Sequence, residues 1–264
     1  MSVPRYEPDR AAAYFDALGE KEWSRFEDGR TPAAGLDSHI RFLERFVTDG
    51  DRVLDAGAGP GRFSIELVRL GATVIALDIS PGQLDLLRER LPSIEAVVGD
   101  ITDLSRFADN SFDVTVCFGG PLSYVLDRAE AALLELVRVT RANGYLLVSV
   151  MSTVGTMIHY LPMLLDLAGR DGGDIQKDIV RTGFLPQDPD YGHLPMHLYR
   201  WGELETLLSR HGEVVAASAA GLIPDPRPDD PELRGLITWL EAELCEEPGA
   251  ISCGQHILAA VRIR

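Results

Sequence analysis

The sequence predicts an α/β domain built on a doubly wound parallel sheet, and three observations carry that prediction. Short apolar runs alternate with helix-periodic segments between residues 52 and 151. The first run breaks into a glycine-rich turn, Gly57-Ala58-Gly59-Pro60-Gly61, that opens a helix. Three runs end at or beside an acid: Asp55, Asp78 and Asp100. Such alternation puts helices on both faces of a parallel sheet. Sheets of this kind bind ligands beyond the carboxyl ends of their strands, where the strand order reverses.

Taken in order, residues 10–29 predict a helix, because Tyr14, Phe15, Leu18, Trp23 and Phe26 recur at helical spacing. Thr31-Pro32 breaks it. A second helix carries Ile40, Phe42, Leu43, Phe46 and Val47, and Gly50-Asp51 ends it. Strands are expected at 52–56, 73–78, 94–98, 112–118 and 144–151, with helices at 63–70, 83–91 and 129–140 between them. Ser80 is placed to cap the helix that starts with Pro81. Residues 152–198 change character: they hold Gly172-Gly173, Pro186, Pro189 and Pro195 and one apolar segment, 157–168. They predict an inserted cap within a single domain. Alternation resumes with a helix at 201–211, a strand at 213–219, a helix at 231–243 and a strand at 255–264. Pro224, Pro226 and Pro228 mark an irregular loop among them. The divisions are thus an N-terminal helical part (1–48), a core (49–151), the cap (152–198) and the rest of the sheet (199–264).

The chain has 264 residues, 45% of them hydrophobic, enough to bury a core without covalent staples. A net charge of −16 disfavours nucleic acid as a partner, since affinity for it comes from Lys and Arg neutralising phosphates. Three cysteines without close spacing predict a reduced, cytoplasmic protein. The polar first ten residues do not read as a secretion signal. No apolar run reaches the ~20 residues a membrane span needs, so no membrane partner is expected.

The glycine turn lets a ligand approach the backbone, and the helix N-terminus behind it offers N–H groups. A dinucleotide fingerprint would need Gly or Ala where this chain has Arg62. The pattern is instead G-x-G-x-G preceded by Asp55, which favours S-adenosylmethionine, whose ammonium wants a carboxylate and which has no pyrophosphate. Asp78 suits the ribose hydroxyls, as it would in dinucleotide binders too. Asp100 suits an adenine amino group, with Ile79 and Ile101 packing on the ring.

The segments Val53-Leu54-Asp55-Ala56-Gly57-Ala58-Gly59-Pro60-Gly61, Val74-Ile75-Ala76-Leu77-Asp78-Ile79-Ser80 and Val97-Val98-Gly99-Asp100-Ile101, in this order and spacing, resemble the class I S-adenosylmethionine-dependent methyltransferases. The likeness covers residues 40–150 strongly and the C-terminal strands loosely. It implies a Rossmann-like, seven-stranded sheet whose last strand, 255–264, is antiparallel. It implies S-adenosyl-L-methionine as cofactor and S-adenosyl-L-homocysteine as product. Carried over, Asp55, Gly57, Ala58, Gly59 and Gly61 hold the methionine end, Asp78 the ribose, and Asp100 with Ile101 the adenine. Phe118 and Gly119 line the methionine arm. The family's N-terminal segment often folds over the cofactor as a lid, which makes Tyr14 a further contact.

The substrate end is less defined. Members that methylate base amines or glutamine resemble one another in an Asn/Asp-Pro-Pro-Tyr motif after the fourth strand. This chain has Phe118-Gly119-Gly120-Pro121 there, which argues against those targets. The cap supplies His159, Tyr160, Tyr191, His193, His197 and Tyr199. His193 and His197 are candidate bases, since imidazole titrates near neutrality, and Tyr124 is a candidate substrate contact. Pro195 keeps the His-x-x-x-His pair off a helix, and no metal is expected. The expectation is methyl transfer to a small molecule, oxygen preferred over nitrogen or carbon. A tRNA or protein methyltransferase, a cofactor-binding protein without turnover, and another use of the cofactor are the alternatives. A homodimer through the cap is one assembly the sequence allows.

Overall fold

Seven strands form one twisted sheet in the order β3-β2-β1-β4-β5-β9-β8. The computed structural model describes residues 4–24, 33–187, 193–223 and 231–264. The strands are β1 Arg52–Ala56, β2 Thr73–Asp78, β3 Glu95–Val98, β4 Phe112–Cys117, β5 Thr140–Met151, β8 Gly212–Ala220 and β9 His256–Ile263. A separate two-stranded ribbon pairs β6 Phe184–Leu185 with β7 Met196–His197. The first five strands are parallel. Strand β9 runs antiparallel between β5 and β8. The expected sheet and its reversed last strand are therefore present.

Strand β1 is apolar on both faces, with Val53, Leu54 and Ala56 fully buried, as a strand covered by helices on both sides requires. Between strands lie α4 Arg62–Arg69, α5 Pro81–Arg90 and α7 Ala129–Val139. Ser80 caps α5 as expected, accepting from Gln83 N at 3.1 Å. A short helix, α6 Pro121–Tyr124, follows β4; it is too brief to show periodicity in the sequence. Strand β5 begins at Thr140 rather than at residue 144. Its register slips between Phe112↔Thr140 and Val114↔Tyr145, and Asn143 sits at φ 62. The extra residues bulge out of the ladder.

The N-terminal helix is broken. Helix α1 spans Pro8–Leu18 and α2 spans Glu20–Ser24, with Gly19 at φ 50 between them. The rest of the expected 10–29 helix, with Arg25 and Phe26, lies outside the described residues, as do Thr31-Pro32, Pro189, Tyr191 and the 224–230 loop. Helix α3 Ala33–Glu44 packs against β8 and α12 Pro231–Leu244, and α11 Trp201–Leu208 precedes β8. Residues 152–198 hold more helix than expected: α8 Thr153–His159, α9 Leu161–Asp171 and α10 Asp174–Thr182. Helix α10 escaped the apolar-periodicity reading because only Ile179 of it is buried. No helix among the described residues is long and apolar enough to cross a membrane.

Helix α1 is clasped to the start of α5. Asp16 Oδ1 accepts from Gly82 N at 2.8 Å and from the Ser80 hydroxyl, at the positive end of that helix. Gln83 Nε2 answers by donating to Phe15 O and Gly19 O at 2.8 and 3.1 Å. Asp16→Ala is expected to weaken α1 docking by about 1–2 kcal/mol, the usual value of a capping carboxylate. Hydrogen exchange of the α1 amides checks this; protection equal to that of the parent chain would exclude the clasp.

Candidate functional site

The turn after β1 is built by the backbone of its neighbour. Gly57 N and Ala58 N both donate to Leu77 O, at 2.7 and 3.0 Å, and Gly59 N donates to Asp78 Oδ2 at 2.8 Å. Gly59 sits at φ 53, and a Cβ added there would meet no atom within 4 Å. The space it leaves belongs to a cavity of about 570 Å3 at the carboxyl ends of β1, β2 and β4, within the range of small-ligand sites.

Gly57, Ala58, Gly59, Asp78 and Ile79 line that cavity. So do Asp100, Ile101, Phe118 and Gly119. The constellation of strand-end residues is thus brought together with two exceptions. Gly61, at φ 93, faces α5 instead: a Cβ there would lie 1.9 Å from Leu87 Cδ1. Asp55 does not line the cavity either. Its carboxylate is 1% exposed, accepts from Ser64 Oγ at 2.6 Å, and also takes a hydrogen bond from the Ser64 backbone. Asp55 therefore caps α4 from beneath, and an N–H of the helix end that the sequence offered to a ligand is already used.

Electrostatics separate the acids. Burial pushes Asp55 up to about 7, the Ser64 hydroxyl pulls it back, and the charge of Asp78 raises it further. Burial pushes Asp78 up to about 6, against the hydrogen bonds from Ser80 N and Gly59 N. Asp100 accepts from Thr102 N at 2.8 Å and from the phenol of Tyr6. Burial first, then the charge and hydrogen bond of Asp100, hold the Tyr6 phenol well above its usual range.

The far walls come from the N-terminal and inserted segments. Tyr14 and Phe15 line the cavity, with rings 5.2 Å apart, and Tyr124 meets Phe15 edge-on at 5.6 Å. Tyr6 N is anchored to Asp127 Oδ1 at 2.7 Å. Arg62 lines the glycine turn, its guanidinium 4.6 Å over the Trp23 ring. Arg90 stands 4.2 Å from the same ring, so two cations fix α2. Tyr160, Met163, Leu185 and Met196 give the same cavity an apolar part of its lining.

The candidate bases divide. His193 lines the cavity, with Nδ1 on Leu194 O at 3.0 Å. His197 does not. Its Nε2 contacts Glu203 Oε1 at 2.7 Å, its ring stands edge-on to Tyr199 at 4.4 Å, and Gly183 closes on its Nδ1 side. In the ribbon it pairs with Phe184 and is not part of the cavity lining. Thr156, Gln255 and His256 line the cavity and were missed. Thr156 comes from α8, whereas the positions of Gln255 and His256 follow from topology. The start of an antiparallel strand lies beside the ends of the parallel ones, so β9 delivers its first residues to the site.

Comparison with known proteins agrees with this geometry. Residues 53–144 match the methyltransferase domain family. Over 149 residues the chain is 39% identical to a demethylmenaquinone methyltransferase of Renibacterium salmoninarum, covering 54% of this chain and 59% of that one. The chain therefore matches less than two thirds of that relative's length. A SAM-dependent methyltransferase from Thermotoga maritima superposes with a TM-score of 0.63 at 16% identity, over 96% of this chain and 99% of that one. A Burkholderia thailandensis 1,6-didemethyltoxoflavin-N1-methyltransferase, solved with S-adenosylhomocysteine, gives 0.57 at 18% identity, over 100% and 93%.

Proposed function

We propose, from the premise that this chain carries a class I S-adenosylmethionine-dependent methyltransferase domain, that it transfers a methyl group to a small, largely apolar acceptor, oxygen being the preferred atom. One observation carries the reading: a single cavity joins the acids Asp78 and Asp100 to an apolar wall of Tyr160, Met163, Leu185 and Met196. Two of the proteins named above, the Renibacterium salmoninarum and Burkholderia thailandensis enzymes, act by their names on small molecules. The net charge of −16 adds to the case against a phosphate-rich acceptor.

The residues present fit the cofactor. The open space beside Gly59 is a cradle that a side chain would fill, and the donor set suits a nucleoside with an amino-acid tail. Asp78 would hold the ribose hydroxyls, and Asp100 with Ile101 the adenine. Phe118, Gly119, Tyr14 and Arg62 would border the amino-acid tail, Arg62 bringing the positive charge its carboxylate needs. When bound, the cofactor supplies an electrophilic methyl on a sulfonium. The chain's task is to orient the acceptor and exclude water, with α1 and the inserted segment as the covering walls.

Radiolabelled S-adenosylmethionine offered with total RNA, protein and a small-molecule extract tests the reading. Label is expected in the small-molecule fraction, and label confined to RNA or protein would reject it. A second result is expected from pH. Ribose hydroxyls donate to the ionised form of Asp78, whose carboxyl is raised to about 6. Binding therefore expels a proton below that value. S-adenosylhomocysteine affinity should fall roughly tenfold from about pH 7.5 to about pH 5, tracking the ionised fraction. Asp78→Asn should flatten this dependence in calorimetry; an equal slope in the variant would remove Asp78 as its source.

A further inference from the structure

Methionine is scarce in this chain, and it is gathered in one place. Five are present, the first of them Met1. Of the other four, Met151, Met163 and Met196 line the cavity. Met157 packs against the buried cluster of Ile179, Met196 and Leu198, as do Met151 and Tyr124. The four come from separate elements, β5, α8, α9 and β7. Met196 is 5% exposed and stands opposite Leu185 in the ribbon register, so the two share a face, and both line the cavity.

Aromatic rings meet the methionines there. Tyr14, Phe15 and Tyr124 line the cavity as a series of edge-to-face neighbours. Tyr14 and Phe15 cross at 82°, and Phe15 and Tyr124 cross at 86°. Edge against face is the arrangement the aromatic quadrupole favours. A Cβ placed on Gly120 would lie 3.6 Å from Met151 Sδ and 3.8 Å from Tyr124 Cε2. The series of rings therefore ends beside a thioether. Among the described lining residues from Phe118 to Met196 there is no Asp, Glu, Lys or Arg. That part of the wall carries no permanent charge, and its largest side chains are rings and thioethers.

Such a wall distinguishes flat unsaturated rings from saturated ones. Leu, Ile and Val would bury either kind at a value set by area alone. A thioether gains further contact energy from an aromatic ring, and so does another aromatic ring. Methionine is also unbranched, so a wall built of it moulds to the outline of its occupant.

We propose that the methyl acceptor is a planar aromatic ring carrying the atom to be methylated, selected by Met151, Met163 and Met196 together with the Phe15–Tyr124 pair. This rests on the methyl-transfer reading above and narrows its apolar acceptor to one class. The ring extends the edge-to-face series by one member, with thioethers around it. The transfer is otherwise unchanged. An electron pair of the acceptor atom forms the bond to the methyl carbon, the methyl–sulfur pair stays on sulfur, and an acceptor proton goes to water. The methionines determine specificity and take no part in the chemical step.

Two probes of one carbon skeleton test the proposal on the full chain saturated with S-adenosylhomocysteine: naphthol, and decalol, its fully hydrogenated counterpart. Calorimetry is expected to show naphthol bound at least about tenfold more tightly. Area alone would favour decalol or leave the two equal. Equal affinities, a preference for decalol, or no heat from either probe therefore overturns the proposal. The second test joins Met163→Leu to Met196→Leu, which keeps apolar volume and removes two thioethers. The naphthol preference should shrink by about three- to tenfold, with affinity for S-adenosylhomocysteine unchanged. A preference equal to the parent's overturns selection by the methionines; if the pair does not fold, Met163→Leu alone is read in the same way. The labelled product of the extract assay is expected to absorb in the near ultraviolet, and a product without a ring chromophore overturns the aromatic class. Failure of the wider reading looks different. The parent chain then labels no small molecule, which overturns the acceptor role too, while the preference for naphthol over decalol stands.

Discussion

Asp78→Ala is expected to weaken S-adenosylhomocysteine binding by about 1.5–3 kcal/mol, or roughly 10- to 150-fold in Kd. Two effects act together. The variant loses the acceptor for the ribose hydroxyls, and it leaves Gly59 N and Ser80 N without the carboxylate that holds them at 2.8 Å. Stability should change far less than affinity. The carboxyl is raised to about 6 because burying its charge is costly, and deleting that cost offsets the two lost hydrogen bonds. Calorimetry together with a denaturant curve checks both halves. An unchanged Kd would remove Asp78 from the nucleoside site, and a collapsed midpoint would make it a scaffold residue.

Gly61→Ala should act in the opposite way, on the fold and not on the ligand. At φ 93 a non-glycine residue costs about 1–2 kcal/mol. The new Cβ would also lie 1.9 Å from Cδ1 of Leu87, which is fully buried. Overpacking of that kind costs about 1–3 kcal/mol. A loss of roughly 2–5 kcal/mol in unfolding free energy is expected from the shift in denaturant midpoint. Less than about 1 kcal/mol would mean that α5 packs more loosely against the turn than described. Gly59→Ala is the control. Its Cβ meets nothing, so the variant should keep more of its stability and lose ligand affinity.

The two glycines show how much of the site was legible. The motif announces a turn, but which glycine faces the ligand depends on where α5 packs, and that is a tertiary fact. Asp55 teaches the same lesson. Being adjacent to the turn says nothing about which side of the turn a carboxylate points to, and Ser64, nine residues on, decides it. Strand β2 was legible to the residue because an apolar run ends at an acid with Gly71 and Ser80-Pro81 on either side. Helix α10 was not, because DIQKDIVRT carries only three apolar residues, Ile175, Ile179 and Val180, in a stretch of nine between Gly173 and Gly183. His256 was hidden by order. It opens the last strand, 217 residues from His39, which it reaches through Ser149. Only the reversed direction of β9 shows that this end of the strand meets the cavity. His197 drew notice for its neighbours in sequence, and the ribbon sets it against Glu203.

The clasp between Asp16 and the start of α5 bears on traffic in the proposed site. Tyr6, Tyr14 and Phe15 line the same cavity as Asp78 and Asp100, and the clasp grips the chain two residues beyond Asp78. On the reading proposed above, a spent nucleoside would leave once α1 lifts. The dwell time of the product is then a property of the Asp16 contacts, and catalytic throughput is capped by the frequency of that opening once the chemical step outruns it.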